Sequence, residues 1–181
     1  MAEGERRPRA APGWGGAHVL AIGHSTRPIA ELVDLLASNG VVTLADVRTI
    51  PRSRANPQFD GAALARALEG AGIRYVHLPA LGGLRHARKG SANGAWRNTS
   101  FRGYADYMQT PEFEEGLCQL RALAHEGPVA LMCAEAVPWR CHSSLVADAL
   151  VVRGVLVIEI VSKRFGALTC SRALLMLRAR T

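Results

Sequence analysis

Residues 18–47 read HVLAIGHSTRPIAELVDLLASNGVVTLADV, and this stretch decides the fold. HVLAIG (18–23) is short and apolar, as a buried strand is. Ser25 or Thr26 is expected to cap a helix whose first turn holds Pro28. IAELVDLLASNG (29–40) sets apolar residues at helical spacing and ends in Gly40, a helix stop. VVTLADV (41–47) is again strand-like. A strand, a helix and a second strand in immediate succession form the unit that joins parallel strands, because antiparallel strands need only a tight turn.

The alternation continues outward. RTIPRSRANPQFD (48–60) carries two prolines and reads as a loop, GAALARALEGAG (61–72) as a helix and IRYVHLP (73–79) as a third strand. Residues 80–100 are rich in Gly, Ser, Asn and basic side chains, a long loop of the kind that is usually functional or mobile. FRGYADYMQ (101–109) is a short helix and PEFEEGLCQLRALAHEG (111–127) an amphipathic one that starts at proline. PVALMC (128–133) is a fourth strand, 142–154 a helix, VLVIEIV (155–161) a fifth strand and 171–180 a last helix. The pattern predicts one three-layer α/β domain over residues 17–181, with a mainly parallel sheet of about five strands and helices on both faces.

Composition sets outer limits. A chain of 181 residues, 49% apolar, suits one domain with a real core. No apolar run approaches the roughly 20 residues of a membrane span. Residues 1–16 are rich in Arg, Pro and Gly without a signal-like apolar stretch, so a disordered basic tail and a cytoplasmic location are expected. Cys118, Cys133, Cys141 and Cys170 are then expected to be reduced. The net charge is +7 and arginine far outnumbers lysine, which permits an anionic partner, either a small molecule or a nucleic acid. The oligomeric state is not written in the sequence.

In a parallel sheet, ligands bind where strands end and the next loops begin. The chemistry-bearing residues collect at those places. Cys133 ends the fourth strand, ahead of Glu135, Trp139, Arg140, Cys141 and His142. Helix-start N–H groups, Arg140 and a protonated His142 would lower a thiol pKa and make Cys133 a nucleophile. The plainer reading is a small residue finishing a buried strand. Cys141 is the rival nucleophile, but neighbours in sequence do not face each other on a helix. Glu135, His24 and His142 are candidate acids or bases, and Asp46 a candidate base or a partner for Arg48. Ser25, Thr26 and Arg27 after the first strand could bind an anion, as could Arg48, Arg52 and Arg54 after the second. Asn98, Arg102 and Tyr104, among the aromatics of WRNTSFRGYADYM (96–108), could serve stacked bases and phosphates, or equally a helix cap and core. Zinc sites show ligands paired two to four residues apart, which Cys133, Cys141 and His142 do not, so no metal is expected, and no cofactor is implied.

IGHSTR, LADVRTIPRSRANPQF, YVHLPALGG, WRNTSFRGYADYM and LMCAEAVPWRCHSSLVADAL together resemble, in order and spacing, the domain of unknown function 488 family, from about residue 18 to about residue 170. The resemblance implies a single α/β domain and no settled activity. The chain departs from that pattern twice. Cys141-His142-Ser143-Ser144 stands where the family has Cys-His-Arg-Ser, and Phe165, Gly166 and Ala167 stand where it often has a His before Leu168-Thr169. A looser likeness is to cysteine phosphatases, which space Cys and Arg five residues apart; six residues separate Cys133 from Arg140. Two functions follow as expectations. One is an enzyme acting on a nucleotide or other anionic substrate through Cys133, with Arg48 and Arg140 as clamps. The other is a non-catalytic nucleic-acid-binding module.

Overall fold

The computed structural model describes residues 13–135, 137, 141–161 and 166–168. Its strands are β1 (His18–Gly23), β2 (Thr43–Asp46), β3 (Arg74–His77), β4 (Val129–Cys133), β5 (Leu156–Ile160) and β6 (Gly166–Leu168). Its helices are α1 (Ile29–Ser38), α2 (Gly61–Glu69), α3 (Thr99–Tyr107), α4 (Pro111–Glu126) and α5 (Ser143–Val152). The sheet order is β3-β2-β4-β1-β5-β6. The first five of these strands run parallel, and β6 closes the edge antiparallel to β5. The expected α/β domain with a parallel five-stranded sheet is what forms, and β6 is an addition to it. The helix expected over 171–180 lies outside the described residues.

Strand alternation builds the three layers. Leu20 and Ile22 of β1, Leu44 of β2, and Ala130 and Met132 of β4 pack with Leu32 and Leu36 of α1 and Leu64 and Leu68 of α2. The residues between them, Val19, Ala21, Ala45, Leu131 and Cys133, face the other way, toward Phe113, Leu117 and Leu120 of α4 and Val146 and Leu150 of α5. Each central strand is thus apolar on both faces, which is why its sequence runs apolar without a break. Trp14 is buried in the second cluster, and the His125 ring donates to the Gly13 carbonyl at 2.8 Å. Residues 13–16 of the expected tail are therefore laid on the domain, and residues 1–12 lie outside the described residues.

Local chemistry explains the boundaries. Asn98 caps α3, accepting from the amides of Ser100 and Phe101 at 2.9 and 3.2 Å, so that helix begins two residues before the expected Phe101. Thr110 caps α4 ahead of Pro111. α1 departs from expectation: it starts after Pro28 with no side-chain cap. Ser25 is unavailable to it, because its backbone turns left-handed at φ 50° and its amide donates to the Ala134 carbonyl at 2.9 Å. Among the described residues no helix is long and apolar enough to cross a membrane.

The direction of the crossovers places the site. β1 and β2 lead into α1 and α2 on one face, and β4 leads into α5 on the other. Adjacent strands whose connections leave in opposite directions open a crevice beyond their carboxyl ends. The strand at the centre of that crevice is β4, and Leu131 is only 1% exposed there. Leu131→Ala is expected to cost about 2–5 kcal/mol in urea denaturation, the range for an aliphatic cavity in a packed core.

Candidate active site

A cleft of about 510 Å3 lies at the carboxyl ends of β1, β2 and β4. Four loops wall it. His24 follows β1, residues 48–50, 52 and 53 follow β2, Gly83 and Leu84 follow β3, and Ala134, Glu135, Cys141 and His142 follow β4. Ser100 and Phe101 at the start of α3 complete it.

Its floor is a buried ion pair. Arg48 is 7% exposed and Asp46 fully buried. The Arg48 side chain donates to Asp46 through Nε, at 2.8 Å to Oδ1, and through its terminal nitrogen, at 2.5 Å to Oδ2. The Arg48 amide adds a third bond to Oδ1 at 3.0 Å, and the Tyr75 hydroxyl donates to Oδ2 at 2.8 Å. The guanidinium also donates to the Phe59 carbonyl at 2.8 Å, and His77 donates to the Arg48 carbonyl at 2.7 Å. Asp46 thus acts as the orienting partner of Arg48. Two nitrogens of Arg48, Nε and one terminal nitrogen, face Asp46, while the other terminal nitrogen lies 3.4 Å from His24 Nε2.

His24 stacks on Phe59 with ring centroids 4.2 Å apart. Its tautomer follows from its neighbours. Nδ1 lies 2.8 Å from the Ser25 carbonyl, which only accepts, and Nε2 lies 3.4 Å from an Arg48 nitrogen, which only donates. Nδ1 therefore carries the hydrogen. Burial above all, aided by the charge of Arg48, holds the pKa of His24 below the ordinary histidine value, and His24 is neutral at pH 7.

The wall opposite holds the thiols. The His142 ring donates from Nε2 to the Val47 carbonyl at 3.0 Å, which turns Nδ1 to the Cys141 sulfur at 3.4 Å. The adjacent pair meets because both residues precede α5, and because Nδ1 sits near enough to the backbone to reach a neighbour. The rule that adjacent residues diverge holds inside a helix and does not apply here. The Ser143 hydroxyl donates to the Cys133 sulfur at 3.1 Å, and the Cys133 thiol donates to the Glu135 carbonyl at 3.5 Å. Cys141 is pushed well below the usual thiol range, first by the hydrogen bond from Cys133, then by the bond and the charge of His142, which together outweigh burial. Cys133 is pushed well above that range, because its proton serves Cys141 and because its surroundings are dry.

Packing fixes the imidazole. Tyr104 lies with its ring 5.2 Å from that of His142. A Cβ placed on Gly83 would come within 2.3 Å of the His142 ring, so only glycine fits there. Tyr104 is otherwise core, donating to the Leu81 carbonyl at 2.8 Å.

Other candidate residues have structural partners. Arg27 donates to Glu31 at 3.1 Å and to the Gly23 carbonyl. Arg102 donates to the Trp96 carbonyl at 2.8 and 3.1 Å, and Asn98 is a helix cap. Arg52 is exposed and lines the cleft, and Glu135 is exposed at its rim. Arg54 and Thr26 are exposed outside the lining. Trp139 and Arg140 lie outside the described residues.

Sequence reasoning passed over Asp106. This buried carboxylate accepts from the Arg88 amide at 2.9 Å, the Ser91 hydroxyl at 2.6 Å and the Asn93 amide group at 2.7 Å. These bonds hold its carboxyl below the ordinary range and tie down the loop 82–98. Its signal was an acid inside an otherwise aromatic helix. Among the described residues no group of three or more His, Cys, Asp and Glu is arranged to hold a metal ion.

Removing one member of a buried ion pair leaves the other uncompensated. Arg48→Met is therefore expected to destabilise the protein by about 3–5 kcal/mol in urea denaturation. The double variant Asp46→Leu/Arg48→Met should recover at least half of that loss.

No curated protein and no solved structure matches the chain. One family model does, the domain of unknown function DUF488, over residues 28–150, a span that runs from the start of α1 through most of α5 and takes in Asp46, Arg48, Gly83, both site cysteines and His142. With the larger part of the domain and most of the cleft inside that match, the chain belongs to the DUF488 family.

Proposed function

We propose that this protein is a cysteine-dependent hydrolase or transferase acting on a nucleotide or another small anionic substrate, with Cys141 rather than Cys133 as its nucleophile. One observation carries the reading: the Cys141 sulfur lies on the cleft wall, 3.4 Å from a His142 nitrogen whose partner nitrogen is tied to a backbone carbonyl. A thiolate is the reactive form of cysteine, and a nearby base or cation maintains it. Cys133 holds its proton and supports Cys141 by hydrogen bonding, which makes it a positioning residue.

In this mechanism the Cys141 thiolate attacks the electrophilic centre of the substrate and displaces the leaving group. His142 has taken the thiol proton at Nδ1 and returns it to the leaving group. Water or a second acceptor then releases the group held on sulfur, with Glu135 at the rim available as a base. Arg52, exposed on the cleft wall, supplies the mobile positive charge for the anion, beside the fixed guanidinium of Arg48 held by Asp46. Ile50 and Leu84, 58% and 70% exposed, with Phe101 behind them, offer an apolar wall for a base or acyl portion. The free thiols among the described residues, Cys118, Cys133 and Cys141, fit a reducing cytoplasmic setting.

The nucleic-acid reading draws on the exposed Arg54, Arg88, Lys89 and Arg97. It carries less support, because Trp96, Phe101 and Tyr107 pack against the core cluster and are not free stacking platforms. It requires oligonucleotide binding that weakens steeply with salt.

Alkylation tests the nucleophile without knowing the substrate. An ordinary thiol loses reactivity about tenfold per pH unit below ~8.5. Cys118, which is exposed, should follow that course. The iodoacetamide rate at Cys141 should change less than about threefold between pH 5 and 8, and His142→Gln should restore much of the ordinary dependence. A Cys141 rate that tracks Cys118 would overturn the reading.

The anion site is tested on the same reaction. Millimolar inorganic phosphate or a nucleoside monophosphate should slow Cys141 alkylation several-fold in the wild-type protein. In Arg52→Ala the protection should fall at least about fivefold, a loss of about 1 kcal/mol of binding.

A further inference from the structure

The second thiol has no part in that reaction other than support, yet its placement is specific. Cys133 ends β4 and Cys141 precedes α5, on the same face of the sheet. The Ser143 hydroxyl donates to the Cys133 sulfur at 3.1 Å and the Cys133 thiol donates to the Glu135 carbonyl at 3.5 Å, while the two cysteines are near enough for a side-chain hydrogen bond between them to shift the pKa of both. Neither is paired with another cysteine. Both are buried, but Cys141, 6% exposed, lines the cleft, whereas Cys133, 3% exposed, does not. A small oxidant entering the cleft therefore meets Cys141 first, with Cys133 beside it on the same face of the sheet.

We propose that Cys141 is a site of oxidation by hydroperoxides and that Cys133 resolves it to a reversible Cys133–Cys141 disulfide. The proposal rests on the Cys141 thiolate of the proposed reaction and supplies its regulation. In the first step the thiolate attacks the outer oxygen of the hydroperoxide and the O–O bond breaks. Sulfur loses two electrons and becomes a sulfenic acid, and the departing alkoxide or hydroxide takes a proton from His142. In the second step the Cys133 sulfur attacks the Cys141 sulfur, forming the S–S bond and breaking the S–O bond. The hydroxyl leaves with the Cys133 proton as water. Two thiols and one hydroperoxide give one disulfide, one water and one alcohol, or a second water when the oxidant is hydrogen peroxide. A dithiol reductant reverses the product by exchange and is itself left as a disulfide. The oxidised protein has no nucleophile, and its sulfur is protected from the irreversible acids further along the oxidation ladder.

Trypsin makes the test direct. It cuts after Arg140 and leaves Cys133 on peptide 122–140 and Cys141 on peptide 141–153, with one cysteine each. The full chain is treated with a small excess of hydrogen peroxide, blocked with N-ethylmaleimide and digested without reduction. The expected product is these two peptides joined, an intact mass lower by two hydrogens, and full return of both thiols with dithiothreitol. Cys133→Ser should halt at a Cys141 sulfenic acid that dimedone traps, and Cys141→Ser should form neither adduct nor link. The proposal is overturned if wild-type protein accumulates sulfinic or sulfonic acid at Cys141, or links it elsewhere, without a 133–141 peptide pair. The wild-type digest decides this even if a variant fails to fold. Alkylation of Cys141 at pH 6, run beside it, separates the two ideas. Fast labelling with no link sinks the disulfide alone, whereas a link with ordinary labelling sinks only the thiolate.

Discussion

A guanidinium and a carboxylate two residues apart, both withdrawn from water, set the geometry of the cleft. Arg48 and Asp46 stand at the end of β2, and residues from three other segments are bonded to one or the other. Phe59 is reached through its carbonyl, Tyr75 and His77 from the neighbouring strand β3, and His24 from the loop after β1. A buried pair of this kind is weak evidence for stability, because desolvation consumes most of its attraction. What it provides is position. Bidentate geometry fixes the arginine in one orientation, and the backbone that carries it then presents Val47 to His142. The Cys141 sulfur is thus aligned at second hand, through a main-chain segment that an ion pair holds still.

The sheet supplies the other half of the arrangement. Residues from four separate loops meet because β1, β2 and β4 are neighbours whose following helices leave to opposite faces. No loop alone contains a site. His24 and Cys133 lie over a hundred residues apart in sequence, yet the amide of His24 donates to the carbonyl of Cys133 at 3.0 Å, one rung beyond the β1–β4 ladder. The site begins where the sheet's own hydrogen bonding ends.

Much of this could be read in the sequence. Apolar runs and helix spacing located the five parallel strands and the helices between them, because a buried strand and an amphipathic helix each leave a periodic trace. The collection of polar residues at strand ends marked the cleft for the same topological reason. What could not be read was allegiance. Arg27, Arg48 and Arg102 look alike in sequence as anion contacts, but each is also tied to a protein acceptor. The choice between two thiols turned on which sulfur the His142 Nδ1 reaches, a matter of side-chain angle at the start of a helix. Asp106 was silent because its three partners arrive from a loop whose path no periodicity encodes. Trp14 was hidden by its company, a lone aromatic among Gly and Pro.

The Val47 carbonyl has a consequence for how His142 is held. Where a histidine is oriented by a carboxylate, an imidazolium has a fixed counter-ion behind it. Here the partner is a neutral peptide group, which sets the tautomer but does not balance a full positive charge. Among the described residues, the other hydrogen-bond partner of the ring is the Cys141 sulfur. In the proposed reaction a fragment held on that sulfur would remove the charge beside the ring, while the Val47 carbonyl would keep the ring's orientation. Because the orienting group is main chain, no side-chain replacement at position 47 removes it.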